Sequence, residues 1–145
     1  MQNRNRFYAF KDSIKKIAVK LEAISNEMAR AIKERQRLEC LKRRRQADVE
    51  QLRATVFIKV FDELLEGKPH YPDPQRRDSE VICRLVYDPA YRRAVNSIQR
   101  AEIKLSRLRA QEQVFQAQTG RLQIEEKLLI MEIEQNATTD KHRYT

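Results

Sequence analysis

All four prolines of this 145-residue chain, Pro69, Pro72, Pro74 and Pro89, fall within a single twenty-odd-residue stretch. Proline breaks helix interiors and is kept out of central strands. The flanks on either side are therefore open to long uninterrupted elements, and with only two glycines, Gly67 and Gly120, the chain lacks the turn residues of a sheet fold. The flanks read as helix.

Their apolar spacing agrees. In the first flank Phe10, Ile14, Ile17, Leu21, Ile24, Met28 and Ala31 alternate steps of four and three, which lays one seam along a helix that faces a partner. Arg35 takes a seam position, and Leu38, Leu41, Val49, Leu52, Val56 and Val60 continue it. The three-residue steps from Arg35 to Leu38 to Leu41 shift the phase as a stammer does, which predicts bending or overwinding there. The second flank carries Tyr91, Ala94, Ile98, Ala101, Leu105, Leu108, Phe115, Leu122, Leu129 and Ile133 in one heptad frame, with Glu112, Thr119 and Glu126 as polar exceptions.

Between the flanks, Asp73-Pro74 and Asp88-Pro89 each place a capping carboxylate before a proline suited to a helix's first turn. A short helix with Val81, Ile82, Leu85 and Val86 on one face is predicted between them. The expected fold is all-α: one domain over residues 1–145, a long antiparallel helical hairpin (coiled coil) with a short helix near the turn. Helix one is expected over about 8–66, the turn and short helix over about 67–87, helix two over about 89–136, and a flexible tail over 137–145.

Charge is segregated along this hairpin. Residues 30–45 hold eight basic residues against two acidic ones, and residues 92–109 hold six against one, whereas the whole chain carries +9. A fold-back centred near residue 72 brings these stretches level. Like charge at one level is unfavourable unless a polyanion neutralises it, and phosphate is the natural ligand. Arg35, Arg37, Lys42, Arg43, Arg44, Arg45, Arg92, Arg93 and Arg100 are the expected contacts; the other reading is a solvated charged face. Single-strand binders add rings on which bases stack, and Tyr87 is the candidate, whereas Phe57, Phe61 and Phe115 take core-like positions.

In "LLIMEI", Leu128, Leu129, Ile130, Met131 and Ile133 spread apolar surface around most of a helix, more than one partner helix covers. This predicts a homo-oligomer with its contact there. His70 and His142 are isolated, no Gly-rich phosphate loop occurs, and Cys40 and Cys83 lack the close pairs of a zinc site. No enzyme, cofactor or metal is expected, and both thiols read as ordinary buried or half-buried side chains. The N-terminal "MQNRNRFYAF" has no signal-peptide apolar stretch, and no run is long enough to span a membrane. The expected location is the cytoplasm.

The run "DSEVICRLVYDPAYRRAVNSIQRAEIKLSRLRAQEQVFQAQTGRLQ", residues 78–123, resembles the C-terminal half of phage recombination mediators of the UvsY type, and "LRAT" at Leu52–Thr55 is similar to a short basic motif preceding the turn in that family. The chain departs from the family pattern in its proline-rich turn and at Thr55. The resemblance implies a small helical protein that binds single-stranded DNA, self-assembles, and helps load a recombinase in place of a single-strand-binding protein, in the host cytoplasm if phage-encoded. It also implies that Arg53 contacts DNA. The alternative is a coiled-coil adaptor or export-machinery stalk whose basic surface meets an acidic protein.

Overall fold

The structure, a computed structural model, describes residues 2–143 and is all-α. Helix α1 runs Gln2–Asp62, a two-stranded ribbon pairs β1 (Leu64–Leu65) with β2 (Lys68–Pro69), α2 runs Pro74–Tyr87 and α3 runs Pro89–Arg143. Two compact units result. Unit 1 joins α1 up to Lys33 with α3 from Leu108 on; unit 2 comprises Glu34–Arg107.

In unit 1 the two helix segments run antiparallel. Arg6 and Phe10 share a groove with Ile133 and Asp140, whereas Lys20 and Ile24 share one with Gln118 and Leu122. Ile17, Ala31 and Phe115 are buried, and Ile24, Leu122, Leu129 and Ile133 are half-buried beside them. Both ends extend further than expected: α1 begins at Gln2 instead of Tyr8, and the expected flexible tail is helical through Arg143. Neither end carries a proline or glycine to stop the helix. At the C-terminal end the Thr138 and Thr139 hydroxyls donate to the carbonyls of Glu134 and Gln135, which keeps two polar side chains compatible with the helix.

Unit 2 is also antiparallel, with Lys42 of α1 paired to Glu102 of α3 at 3.2 Å. Its α1 core is Leu38, Val49 and Val60, set at intervals of eleven residues; Arg35, Leu41, Leu52 and Val56 are only half-buried. Eleven residues in three turns is 3.67 per turn, close to an unstrained helix. The three-residue steps therefore do not define the buried line. Across from this line α3 presents Ala94, Ala101 and Leu105, all buried. The two alanines let the helix backbones approach closely, because interaxial distance follows the side chains at the contact.

The turn corrects the boundary expected at Glu66. Helix α1 stops at Asp62 because Glu66 (φ 54°) and Gly67 (φ 78°) form a two-residue left-handed turn that pairs Leu64 with Pro69 and Leu65 with Lys68. The His70 amide donates to the Glu63 carbonyl at 3.0 Å and closes the ribbon. Asp73 caps α2 by accepting from the Gln75 amide at 3.1 Å, with Pro74 in the first turn.

Asp88 has two duties. Its amide donates to the Leu85 carbonyl at the end of α2, while its Oδ1 accepts from the amides of Ala90 and Tyr91 at 2.8 and 3.5 Å. One residue thus ends α2 and starts α3. Val81 and Leu85 of α2 pack on Val60, with Leu52, Val56, Tyr71 and Tyr91 around them. Ile82 and Val86 were expected on the same face but are exposed, at 61% and 52%, since each is about 100° round the helix from its buried neighbour. Phe57 and Phe61 likewise lie outside the core, one position beyond Val56 and Val60. They stack on each other at 5.9 Å, and the Arg77 guanidinium covers the Phe61 ring at 4.7 Å.

A clamp fixes α2 to the end of α1. The Arg84 guanidinium donates to both Glu63 oxygens at 2.5 and 2.7 Å and to Glu80 at 2.7 Å. Hydrogen bonds from Arg84 hold the Glu63 carboxyl below its ordinary range, and the two carboxylates raise Arg84 in turn. This is the bidentate geometry in which an arginine both pairs and orients.

Candidate nucleic-acid interface

The expected contact residues of unit 2 and the basic residues beside them on α3 fall into two groups. On α1, Arg37 donates to both Glu34 oxygens at 2.9 and 2.7 Å, Arg35 pairs with Glu39 at 3.3 Å and Arg45 with Asp48 at 3.1 Å. Arg53 lies 3.7 Å from Glu50, and Lys42 is taken by Glu102. These are three- and four-residue neighbours on one helix, or a direct neighbour across the hairpin. Their charge is already partly neutralised.

The second group has no acidic partner within ion-pair distance among the described residues: Arg43, Arg44, Arg92, Arg93, Arg100, Lys104 and Arg107, all exposed. Four of these are in register. Arg93, Arg100 and Arg107 are seven residues apart and Lys104 follows Arg100 by one turn, so they share one side of α3 over about 21 Å. Lys104 and Arg107 lie within the charged stretch but outside the contacts expected from the sequence. The seven-residue recurrence was the signal that could have found them.

Arg93, at one end of this row, lines a groove between α1 and α3 with a volume of about 490 Å³. Arg45, Gln51 and Thr55 line it from α1, and Arg93 and Ser97 from α3. The Thr55 hydroxyl donates to the Gln51 carbonyl at 2.9 Å, and its oxygen keeps its capacity to accept. Farther along, the Arg37 hydrogen bonds hold the Glu34 carboxyl below its ordinary value, and the charges of Arg37 and of Lys104 on α3 add to the effect. That coupling places Lys104 within electrostatic reach of α1. The groove carries Arg93 on its α3 edge, and the acidic residue that lines it on α1, Asp48, is paired with Arg45 at 3.1 Å.

Tyr87 is 77% exposed and sits one residue before the Asp88 cap, beside Arg84 and Pro89. Tyr91, one helical turn on in sequence, instead packs against the Val60 cluster. The cap turns the chain between them and separates the two rings. Cys40 and Cys83 are free and exposed rather than buried, because neither falls on the buried line of its helix. Among the described residues no group of three or more His, Cys, Asp or Glu side chains is placed to hold a metal ion, and no helix is long and apolar enough to cross a membrane.

The "LLIMEI" residues divide between two sides of α3. Leu129 and Ile133 are half-buried against α1, near Ile17 and Phe10 respectively, while Leu128, Ile130 and Met131 are exposed at 59%, 41% and 53%. Against known proteins the chain has no match: no family model fits it, and no curated protein or solved structure matches it.

Proposed function

We propose that this chain is a single-stranded nucleic-acid-binding accessory protein of recombination or replication, of the kind that helps load a recombinase. The observation that carries the reading is the row Arg93, Arg100, Lys104 and Arg107, four exposed cations on one side of α3 without acidic partners among the described residues. Such a row repels itself and gains from a linear array of phosphates. The groove beside it offers hydroxyl and amide groups from Thr55, Ser97 and Gln51 that can complete phosphate or sugar contacts. Exposed Tyr87 supplies a ring for one base to stack on. The recombinase and single-strand-binding protein as partners follow from the mediator resemblance of residues 78–123, and self-association belongs to the same reading because adjacent copies multiply weak contacts along one strand.

A second reading is favoured by a different observation. Leu64 and Leu65 of the ribbon, at 66% and 57% exposure, join Ile82 and Val86 of α2 in presenting apolar surface in unit 2. That is the surface of a coiled-coil adaptor whose end grips a protein partner. A fluorescence-anisotropy titration of the full chain with single-stranded DNA, duplex DNA and heparin separates the two. Tighter binding to the single strand than to the duplex supports the accessory-protein reading. Equal weak binding to all three, unaffected by the α3 row, supports the adaptor.

A further inference from the structure

Arg93 belongs both to the cation row of α3 and to the lining of the unit 2 groove. Arg93, Ser97, Arg100, Lys104 and Arg107 follow one another in steps of four, three, four and three, which makes them one continuous stripe along the helix. The first two line the groove. The rest of its lining differs in kind from the row. Leu52, Ala90 and Ala94 are apolar and buried or half-buried, while Gln51, Thr55 and Ser97 carry neutral donors and acceptors. Arg45 and Asp48 pair with each other at 3.1 Å and together add little net charge, whereas Arg93 has no acidic partner within ion-pair distance among the described residues.

This combination selects the occupant. A volume of about 490 Å³ suits one small molecular unit, since clefts that hold such units run from about 300 to about 1,000 Å³. Free phosphate has no flat apolar face to lay on Leu52, Ala90 and Ala94. A lipid chain has no polar edge for Gln51, Thr55 and Ser97. One unit of a nucleic-acid strand has an apolar base face, a hydrogen-bonding edge and sugar, and a phosphate joined to others that can follow the row.

We propose that the groove seats one nucleotide of a bound single strand, with its base against Leu52, Ala90 and Ala94, its polar edge or sugar on Gln51, Thr55 and Ser97, and its phosphate at Arg93. The phosphates that follow lie along Arg100, Lys104 and Arg107. This seat rests on the single-strand reading of the row and adds what the row lacks. A strand held by phosphates alone binds equally well with or without its bases, whereas a seated base makes affinity depend on their presence. A duplex keeps its bases stacked and paired, and extracting one costs free energy, so the same seat favours the single strand.

Fluorescence anisotropy of the full chain with two labelled single strands of equal length tests it, one of ordinary DNA and one abasic throughout with its phosphates kept. Tyr87→Ala is the background, so that the exposed ring contributes nothing. There the ordinary strand binds about tenfold tighter than the abasic one, the gain expected for burying one face of a base. Adding Ser97→Leu fills the groove and brings the two strands within about twofold, by weakening the ordinary strand and leaving the abasic one as it was. Thr55→Leu fills the groove from the α1 wall at an exposed position and has the same effect, which covers the case in which Ser97→Leu loses helicity by circular dichroism. Equal binding of both strands by the Tyr87→Ala chain overturns the seat, and so does a preference for bases that survives the filled groove. Either result, with steep salt dependence on both strands, leaves the row in contact with phosphate. Failure of the chain to bind any single strand removes that contact and the seat together.

Discussion

Replacing Arg93, Arg100, Lys104 and Arg107 together by Gln removes four charges that have no acidic side chain within ion-pair distance among the described residues, on one side of one helix. Glutamine has nearly the helix propensity of the residues it replaces, so α3 should persist. Each phosphate contact on a single strand contributes about −0.7 to the slope of log affinity against log salt, so four contacts are worth about −2.8. The variant's slope should be shallower by that amount. Between about 50 and about 200 mM salt, the wild type should then lose about fifty-fold more affinity than the variant does. The assay is fluorescence anisotropy of a labelled single-stranded oligonucleotide over a salt series, with circular dichroism to verify helicity. Arg37→Gln is the internal control: its guanidinium is held by both Glu34 oxygens at 2.9 and 2.7 Å, so losing it should change the slope by less than one contact. An unchanged slope in the fourfold variant refutes the reasoning. So does an Arg37→Gln effect as large per residue as that of the row, since pairing would then have no bearing on which cations meet phosphate.

Asp88→Ala should cost about 1 kcal/mol, because it removes the acceptor for the Ala90 and Tyr91 amides at the start of α3; a chemical-denaturation midpoint equal to wild type would show the cap to be dispensable. Gly120→Ala should stabilise by about 0.5–1 kcal/mol, since a Cβ there meets no atom within 4 Å and α3 runs through the position unbroken, and a thermal melt that falls instead would reveal a hidden contact. The Glu63 carboxyl, depressed by hydrogen bonds from Arg84, lends stability that is complete above the unfolded value of about 4.3 and drains away as pH falls through its lower folded value. Glu63→Gln should therefore melt with less dependence on pH than wild type below about pH 4, and identical pH profiles would contradict the clamp.

What the chain's sequence decided by itself was local. The confinement of proline to residues 69–89, the two Asp-Pro caps and the three-and-four spacing of Ile17, Leu21, Ile24, Met28 and Ala31 are each written within a few residues of the element they specify. Helix interiors, caps and an antiparallel return follow from them, and so does the levelling of the two basic stretches about residue 72. The helix ends were less legible. Glu66-Gly67 forms a ribbon turn because strand pairing of Leu64 and Leu65 with Lys68 and Pro69 competes with one more helical turn, and that contest is settled by contacts and not by propensity.

Tertiary structure decided which of several apolar and charged positions count. Leu38, Val49 and Val60 are buried while Leu41 and Leu52 are only half-buried: Val60 meets α2, and α3 offers Ala94, Ala101 and Leu105 as its buried residues along the rest of unit 2. Val81 and Leu85 are inside and Ile82 and Val86 outside for the same reason: Val60 can meet one stripe of α2. Composition counts Arg37 and Arg93 alike. Helical spacing sets Glu34 beside Arg37 on α1, whereas only the fold leaves Arg93 facing a groove, since what a helix face meets depends on which neighbour packs against it.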